Sequence, residues 1–200
     1  MVKNILVILS KSCIGMEHKA YLIGRKVVVF DYELGRQLYK EGFYGKFTYV
    51  PKVKDLAQCD EIESPLELSL VEALYLMKRG RIKIVTREGK EISINEFIEL
   101  ARKYIDLFDE LYSVYEDLRS RGYIVKSGMK FGATYAVYKY GPGIDHAPFL
   151  VQVSTKNTKM DPIEIVRAGR LSHSVRKKFV IAVRDVTSGK IKYYAFKWFG

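Results

Sequence analysis

The stretch LFDELYSVYEDLRSRGYIV, residues 107–125, contains the signals for a helix, a stop and a strand in direct succession. Its apolar side chains recur at helical spacing, which is typical of an amphipathic helix with one buried face. Gly122 follows as the expected left-handed cap, and residues 123–125 then predict a strand. We expect a second domain to begin with this helix. The apolar residues at helical spacing are Leu107, Leu111, Val114, Tyr115 and Leu118.

Downstream, four further strand patterns are interrupted by one helix pattern. The strands are expected at residues 133–138, 149–153, 179–183 and 192–196. Asp161, Pro162 and Glu164 predict the start of a helix that reaches about Ser172. Strands and helices in this order, without an internal repeat, indicate an α+β fold class.

The first half predicts a smaller α/β unit. Strands rich in Val and Ile are expected at residues 5–9, 20–23 and 26–30, followed by a helix at about 33–40. A further strand is expected at residues 81–86. We place the first domain at residues 1–105 and the second at residues 106–200, and we interpret the first as a structural or dimer-forming module.

Two capping-box patterns predict the remaining helices of the first half. Ser64, Pro65 and Glu67 predict a helix with proline at its first position. Ser93 and Glu96 predict another helix. Before them, residues 45–62 show neither a helical nor a strand period, so we expect a long loop, and loops of that length are uncommon unless they are functional or disordered.

Composition suggests a polyanionic partner. The 200 residues include 34 Lys and Arg against 23 Asp and Glu, a formal net charge of +11. Cys13 and Cys59 lie far apart without metal-ligand spacing, which fits a reducing cytoplasm, and no signal peptide or membrane span is expected. The low content of Gln and Asn, three of each, is similar to heat-adapted proteins.

Common catalytic motifs are missing from the sequence. It contains no GxSxG, no GxxxxGK[ST], no HExxH and no strand-linked GxGxxG. Asp145 and Asp161 have no partner carboxylate at a spacing suited to a catalytic cation. We therefore expect metal-free chemistry without a cofactor, which RNA permits because its 2′-hydroxyl is an internal nucleophile.

Attack by a 2′-oxygen requires a base, an acid for the departing 5′-oxygen and a cation for the transition state. The second half offers Tyr138, His146 and Lys177 for these roles. Each residue also has an ordinary interpretation: Tyr138 as a strand aromatic, His146 as a turn histidine and Lys177 as part of a solvated charge run. Only the combination points to catalysis.

Several blocks of the sequence resemble the archaeal tRNA-intron endonucleases. These blocks are residues 119–132, RSRGYIVKSGMKFG; the strand that ends at Tyr138; His146; and residues 171–178, LSHSVRKK. Residues 68–76, LSLVEALYL, extend the similarity into the first half. The resemblance implies a C-terminal catalytic domain with a central mixed β-sheet flanked by helices, preceded by a small N-terminal α/β domain.

The resemblance also implies an activity. Such enzymes cleave precursor tRNA at a bulge-helix-bulge and leave a 2′,3′-cyclic phosphate and a 5′-hydroxyl. The family's base, acid and cation map to Tyr138, His146 and Lys177. The segment between Tyr138 and His146 is shorter than usual, so Tyr135 and Tyr140 stay open as substitutes for the base.

Substrate-binding residues follow from the same resemblance. Arg170 matches an arginine that clamps a bulged base, where a guanidinium can stack on the π-face. Lys192 and Lys197 are weaker candidates for its partner. The 45–62 loop is similar in length to an extra loop of two-subunit enzymes, and we expect it to contact RNA through basic side chains. Those side chains are Lys46, Lys52 and Lys54.

The charge of the turn at residues 184–190 is relevant to how the chain assembles into an oligomer. In self-assembling members of the family this turn is acidic and docks into a basic pocket of a neighbouring subunit. Here Asp185 is its only carboxylate, between Arg184 and Lys190. We therefore expect an α2β2 heterotetramer with a non-catalytic paralogue. The competing hypotheses are a non-catalytic subunit of the same assembly and a DNA nuclease on a related fold.

Overall fold

A computed structural model describes residues 18–50, 53, 56–156, 161, 163, 166, 177–185 and 187–196. The strand expected at residues 5–9 lies outside the described residues, as does most of the helix expected at residues 161–172. In the described ranges, no helix is both long and apolar enough to cross a membrane.

Within the described residues, the first half forms a five-stranded sheet with the order β3-β4-β2-β1-β5. The β1–β5 pair is parallel and the other pairs are antiparallel. A 3₁₀ helix at Leu56–Glu61 and the short strand β3 occupy part of the segment expected to be a long loop. The elements are β1 (Lys19–Ile23), β2 (Lys26–Val29), α1 (Tyr32–Gly42), β3 (Lys46–Phe47), β4 (Leu66–Ser69), α2 (Leu70–Lys78), β5 (Lys83–Val85) and α3 (Ile94–Tyr104).

One of the two expected helix starts is wrong. The Ser64-Pro65 pattern leads into strand β4, and α2 begins only after Ser69, whose side chain and Glu72 form the actual capping box. Here β4 pairs with both β2 and β3, and its Leu-Glu-Leu alternation buries the two leucines on one face of the sheet. This pairing and burial outweigh the local capping pattern. The other helix start is confirmed, since Ser93 and Glu96 cap α3.

The second half also forms a five-stranded sheet, with the order β10-β9-β8-β7-β6 among the described strands. Only β8 and β9 pair in parallel, which makes the sheet mixed. The helix-stop-strand pattern is confirmed, with Gly122 at φ 84° after α4. The elements are α4 (Phe108–Ser120), β6 (Ile124–Ser127), β7 (Tyr135–Tyr138), β8 (Phe149–Ser154), β9 (Lys178–Arg184) and β10 (Ile191–Phe196). The α+β class is confirmed.

The two faces of the second sheet pack against different clusters. Tyr135 and Val137 belong to the large core that continues through α4 into the first half. Ala136 and Tyr138 point to the other face and join a smaller cluster with Ala147, Leu150 and Phe179. This alternation is the two-residue period of a strand buried on both faces. It puts the two tyrosines of β7 on opposite sides of the sheet.

Buried cations of the second half hold the backbone after α1 in the first half. Arg119 donates to the Gly42 carbonyl at 2.6 Å. Lys126 donates to the carbonyls of Phe43 and Gly45, each at 2.6 Å, and lies 3.6 Å from Glu72. Since charged hydrogen bonds in a buried setting are strong, these contacts fix residues 42–45 against the second sheet.

Candidate active site

Strand pairing brings the three candidate residues to one end of the second sheet. Tyr138 is the last residue of β7, directly after the pair that Val137 forms with Phe149. Phe149 in turn pairs with Lys178, the first residue of β9, so Lys177 enters the sheet at the same end. His146 lies three residues before β8 begins. Residues far apart in the sequence therefore surround the entry to β8.

Tyr138 lies largely inside the smaller cluster, with 9% of its surface exposed. Burial raises the pKa of its phenol above the ordinary value, and the negative charge of Asp145 raises it further. Tyr138 is therefore protonated at neutral pH and holds its proton firmly.

His146 is exposed at the end of a tight turn that follows β7. The Asp145 carboxylate accepts the N–H groups of Lys139 at 3.0 Å and Gly141 at 2.8 Å. The Gly141 carbonyl accepts the N–H groups of Ile144 at 3.1 Å and Asp145 at 3.0 Å. This turn, residues 139–145, is closed on itself by four hydrogen bonds and presents the imidazole beside the sheet end.

Lys177 is held next to the same turn. Its ammonium donates to the carbonyl of Ala147, the residue after His146, at 2.9 Å. The ammonium also lies 5.4 Å from the centre of the Phe131 ring, within the range of a cation–π contact. An ammonium fixed in this way can stabilise negative charge that develops beside His146.

The two substitute tyrosines lie in different surroundings. The Tyr135 hydroxyl donates to the Leu111 carbonyl at 3.0 Å on the opposite face of the sheet, and burial raises its pKa. Tyr140 is 56% exposed within the 139–145 turn, with the Lys139 ammonium 5.0 Å from its ring centre. Tyr135 therefore lies away from the other candidates, whereas Tyr140 lies near them.

Further cations surround the end of the sheet where Tyr138, His146 and Lys177 lie. Lys130, Lys139 and Lys178 are exposed, and each ammonium lies over a neighbouring aromatic ring at 4.8, 5.0 and 5.9 Å from its centre. Cations interleaved with aromatic rings suit the phosphates and bases of RNA.

The expected substrate-binding residues are only partly described. Lys46 lies on β3 with its side chain 72% exposed and its ammonium 3.5 Å from the Glu67 carboxylate. Lys192 is exposed on β10. Neither is among the groups that strand pairing brings to the end of the sheet with the three candidate residues. The other expected residues, Lys52, Lys54, Arg170 and Lys197, lie outside the described residues.

A cleft of about 500 Å³ opens between the two sheets. Its walls carry two acidic side chains, Glu67 and Glu72, which both have lysine partners. Four basic side chains outnumber them, but three of the four pair with these two carboxylates, so the mostly apolar cleft has only a small excess of positive charge. The basic residues of the walls are Arg25, Lys26, Lys46 and Lys126.

Sequence reasoning missed the residues that support the site. Asp145 was considered only as a metal ligand, whereas its carboxylate closes the turn before His146. In the part of the chain that is described, no three His, Cys, Asp or Glu side chains cluster as candidate metal ligands. The two glycines of the GPG motif at residues 141–143 could have indicated a tight turn here.

Comparisons with known proteins identify relatives of both halves of the chain. The family model for the tRNA intron endonuclease N-terminal domain matches residues 18–98, and the model for the catalytic C-terminal domain of the same family matches residues 108–193. The tRNA-splicing endonuclease of Hyperthermus butylicus is 46% identical over 180 residues, which cover 90% of this chain and 97% of that protein. Proteins of the same name from Pyrobaculum islandicum and Saccharolobus islandicus are 46% and 43% identical, over 98% and 97% of their lengths. The chain therefore belongs to the tRNA intron endonuclease family.

Proposed function

We propose that this chain is a catalytic subunit that removes introns from precursor tRNA. It cuts at bulge-helix-bulge splice sites and leaves 2′,3′-cyclic phosphate and 5′-hydroxyl ends. Membership of the family supports endonuclease activity in tRNA processing. The observation that carries the catalytic role is the meeting of Tyr138, His146 and Lys177 at one end of the second sheet.

Each of these three side chains has its own role in the proposed reaction. Tyr138 takes the proton of the ribose 2′-hydroxyl, and the 2′-oxygen forms a bond to the neighbouring phosphorus. The bond from phosphorus to the 5′-oxygen breaks, and His146 supplies the proton that makes this oxygen a hydroxyl. Lys177 stabilises the extra negative charge on the non-bridging oxygens in the transition state. The cyclic phosphate and the 5′-hydroxyl account for all atoms without water or a metal.

The raised pKa of Tyr138 limits how much of the proposed base is deprotonated at neutral pH. Only a small fraction of the enzyme has Tyr138 deprotonated at neutral pH, because burial and Asp145 both favour the protonated phenol. That fraction grows as pH rises. A cation that comes beside the phenol when RNA closes the site would favour the phenolate, and Lys177, at the same end of the sheet, is proposed for this role.

RNA binding is proposed to extend beyond the catalytic end. Lys130, Lys139 and Lys178 flank the site and can contact phosphates. Arg170 is proposed to stack on a bulged base, and the basic residues of the 45–62 segment, Lys46, Lys52 and Lys54, are proposed to reach the RNA further away. These roles rest on residue type and on the family pattern.

The assembly is proposed to be an α2β2 heterotetramer with a non-catalytic paralogue. In the turn after β9, the Asp185 carboxylate accepts the N–H groups of Thr187 at 3.0 Å and Ser188 at 3.4 Å, and these bonds lower its pKa. The single carboxylate of the turn is thus engaged by the turn itself. The cleft between the sheets has a small excess of positive charge, which suits an acidic loop from another chain.

One cleavage assay tests the proposed activity. The purified chain, alone and mixed with its paralogue, is incubated in EDTA with a bulge-helix-bulge RNA and with a fully paired RNA of equal length. We expect cuts only in the bulged RNA, and products that carry cyclic phosphate and 5′-hydroxyl ends. Cleavage that requires magnesium would favour a metal-dependent nuclease, and a mixture that cuts without Tyr138 and His146 would assign this chain a non-catalytic role.

A measurement of the molecular mass in solution tests the proposed assembly separately. We expect the chain and its paralogue to combine in equal numbers with the mass of a heterotetramer, and activity to appear with this species. Full activity of a homo-oligomer of this chain alone would contradict the partner proposal while leaving the catalytic proposal intact.

A further inference from the structure

Gly141, in the turn between Tyr138 and His146, lies directly against an aromatic side chain of the first half. Its φ is +129°, a conformation that residues with a side chain rarely adopt. A Cβ at this position would lie within 3.0 Å of three ring carbons of Phe43. The Phe43 ring therefore packs on the bare backbone of the turn, and only glycine allows this approach.

Phe43 is itself fixed from several sides. It ends α1 in the left-handed conformation, with φ 54°, and its N–H donates to the Tyr39 carbonyl at 2.6 Å. Its carbonyl accepts a 2.6 Å hydrogen bond from the Lys126 ammonium, and its ring meets the ring of Tyr39 edge-on at 5.4 Å. With 5% of its surface exposed, Phe43 is a rigid support.

The contact point is the centre of the turn. Gly141 donates to the Asp145 carboxylate, and its carbonyl accepts the N–H groups of Ile144 and Asp145. A shift of Gly141 therefore moves Asp145, and with it His146, the next residue. Misplacement of a catalytic group by about 1 Å can cost on the order of a hundredfold in rate.

We infer that Phe43 is a positioning residue for RNA cleavage, acting through Gly141 on the placement of His146. This inference rests on the proposed function. It gives the first half a part in catalysis beyond a structural or dimer-forming module. Phe43 touches neither the RNA nor the reacting atoms in this account, so its effect should appear in the chemical step and not in binding.

Phe47 provides a matched control for the test. Its ring packs against the same Tyr39 at 5.1 Å, and it is 3% exposed. Phe47→Ala removes an equally buried ring from the same core but leaves the contact with Gly141 in place. A loss of rate that both variants share would reflect general loosening of the core.

The experiment compares single-turnover rates at saturating enzyme, using the active assembly and a bulge-helix-bulge RNA. We expect Phe43→Ala to lower the rate by about tenfold to a hundredfold at unchanged half-saturating concentration. Phe47→Ala should stay near the wild-type rate. If Phe43→Ala does not fold, as shown by thermal unfolding, Phe43→Leu keeps a buried side chain and should show a smaller loss in the same direction.

A modified RNA tests whether the effect passes through His146. Sulfur in place of the bridging 5′-oxygen gives a leaving group that departs without a proton, so the acid is no longer needed. The Phe43 defect should then largely disappear. Equal rates for the Phe43 and Phe47 variants, or a defect that persists on the sulfur-containing RNA, would overturn the inference. An inactive wild type would instead refute the proposed function.

Discussion

The ammonium of Lys177 donates a hydrogen bond of 2.9 Å to the carbonyl of Ala147, the residue that follows His146. This bond joins the start of β9 to the chain that enters β8. The proposed cation and the proposed acid are therefore parts of one local unit, although residues 146 and 177 lie 31 positions apart in the sequence. Variants of either residue should affect the same chemical step.

Replacing His146 by alanine should remove the acid that protonates the 5′-oxygen. We expect the single-turnover rate to fall by about 10² to 10⁴ while RNA affinity stays nearly unchanged, because an acid of this kind acts mainly in the transition state. A rate equal to wild type would exclude His146 as the acid.

The residual activity of this variant should depend on pH through Tyr138. Burial and Asp145 raise the pKa of Tyr138, so the deprotonated base becomes more abundant throughout the neutral range as pH rises. We expect the rate to rise by about tenfold per pH unit. Cleavage by hydroxide has the same slope, so the double variant with Tyr138→Phe measures this background and should be slower at every pH. Equal absolute rates for the single and double variants would refute the role of Tyr138.

The three tyrosines considered as the base should give different rates when each is replaced by phenylalanine. Tyr138→Phe should slow cleavage by about 10² to 10⁴, since it removes the base. Tyr135→Phe should cleave normally and lose about 1 kcal/mol of stability, because the Leu111 carbonyl loses its donor. Tyr140→Phe should cleave normally. If Tyr140→Phe shows the large loss of rate, Tyr140 is the base.

The basic side chains of the 45–62 segment should contribute to the salt dependence of RNA binding. Each lost phosphate contact reduces the slope of log affinity against log salt by about 0.7 to 0.9. We expect the triple variant of Lys46, Lys52 and Lys54 to alanine to show a lower slope, with the chemical rate unaffected. A slope equal to wild type would show that these residues do not contact phosphates.

Lys126→Met should destabilise the fold strongly. Burial alone raises the pKa of Glu72, but the charge of Lys126 and the bonds from Ser69 and Gly45 outweigh it and lower that pKa. Without Lys126 the buried carboxylate keeps its bonds from Ser69 and Gly45 but loses its opposite charge, so we expect a loss of about 3 to 5 kcal/mol in the free energy of unfolding at neutral pH.

An exposed ion pair gives the control for this variant. Lys26 lies 2.7 Å from Glu67, with its side chain 54% exposed, and Lys26→Met should cost about 0 to 1 kcal/mol. The stabilisation from Glu72 is present above the ordinary pKa of 4.5 and is lost as pH falls through the lower folded value. Denaturant unfolding across this pH range measures both effects. Similar losses for the two variants would contradict the account of the buried pair.

Local patterns predicted several elements because the signals act within a few residues. The Ser93 and Glu96 capping box and the stop at Gly122 needed no distant partner. The start of α2 was misplaced because the sequence also offers a capping pattern at Ser64, and only pairing with β2 and β3 makes the following residues a strand. Burial in a sheet outweighed the local preference.

Contacts between the two halves could not be predicted in this way. Phe43 and Lys126 lie 83 positions apart, and no periodicity connects them. The contact between Phe43 and Gly141 depends on two left-handed backbone conformations, of which one belongs to a residue with a large side chain. The strand expected at residues 133–138 implies opposite faces for Tyr135 and Tyr138, but only the folded sheet shows which face lies beside His146 and Lys177.

The central claim is that the 2′-oxygen of the RNA is the nucleophile and that no metal takes part. It is tested most directly by a bulge-helix-bulge RNA with a single 2′-deoxyribonucleotide on the 5′ side of one scissile phosphate, incubated with the active assembly in EDTA. The account predicts that cleavage stops at this site and continues at the unmodified site. Cleavage at the deoxy site would show that a different nucleophile attacks the phosphate, and would contradict the account.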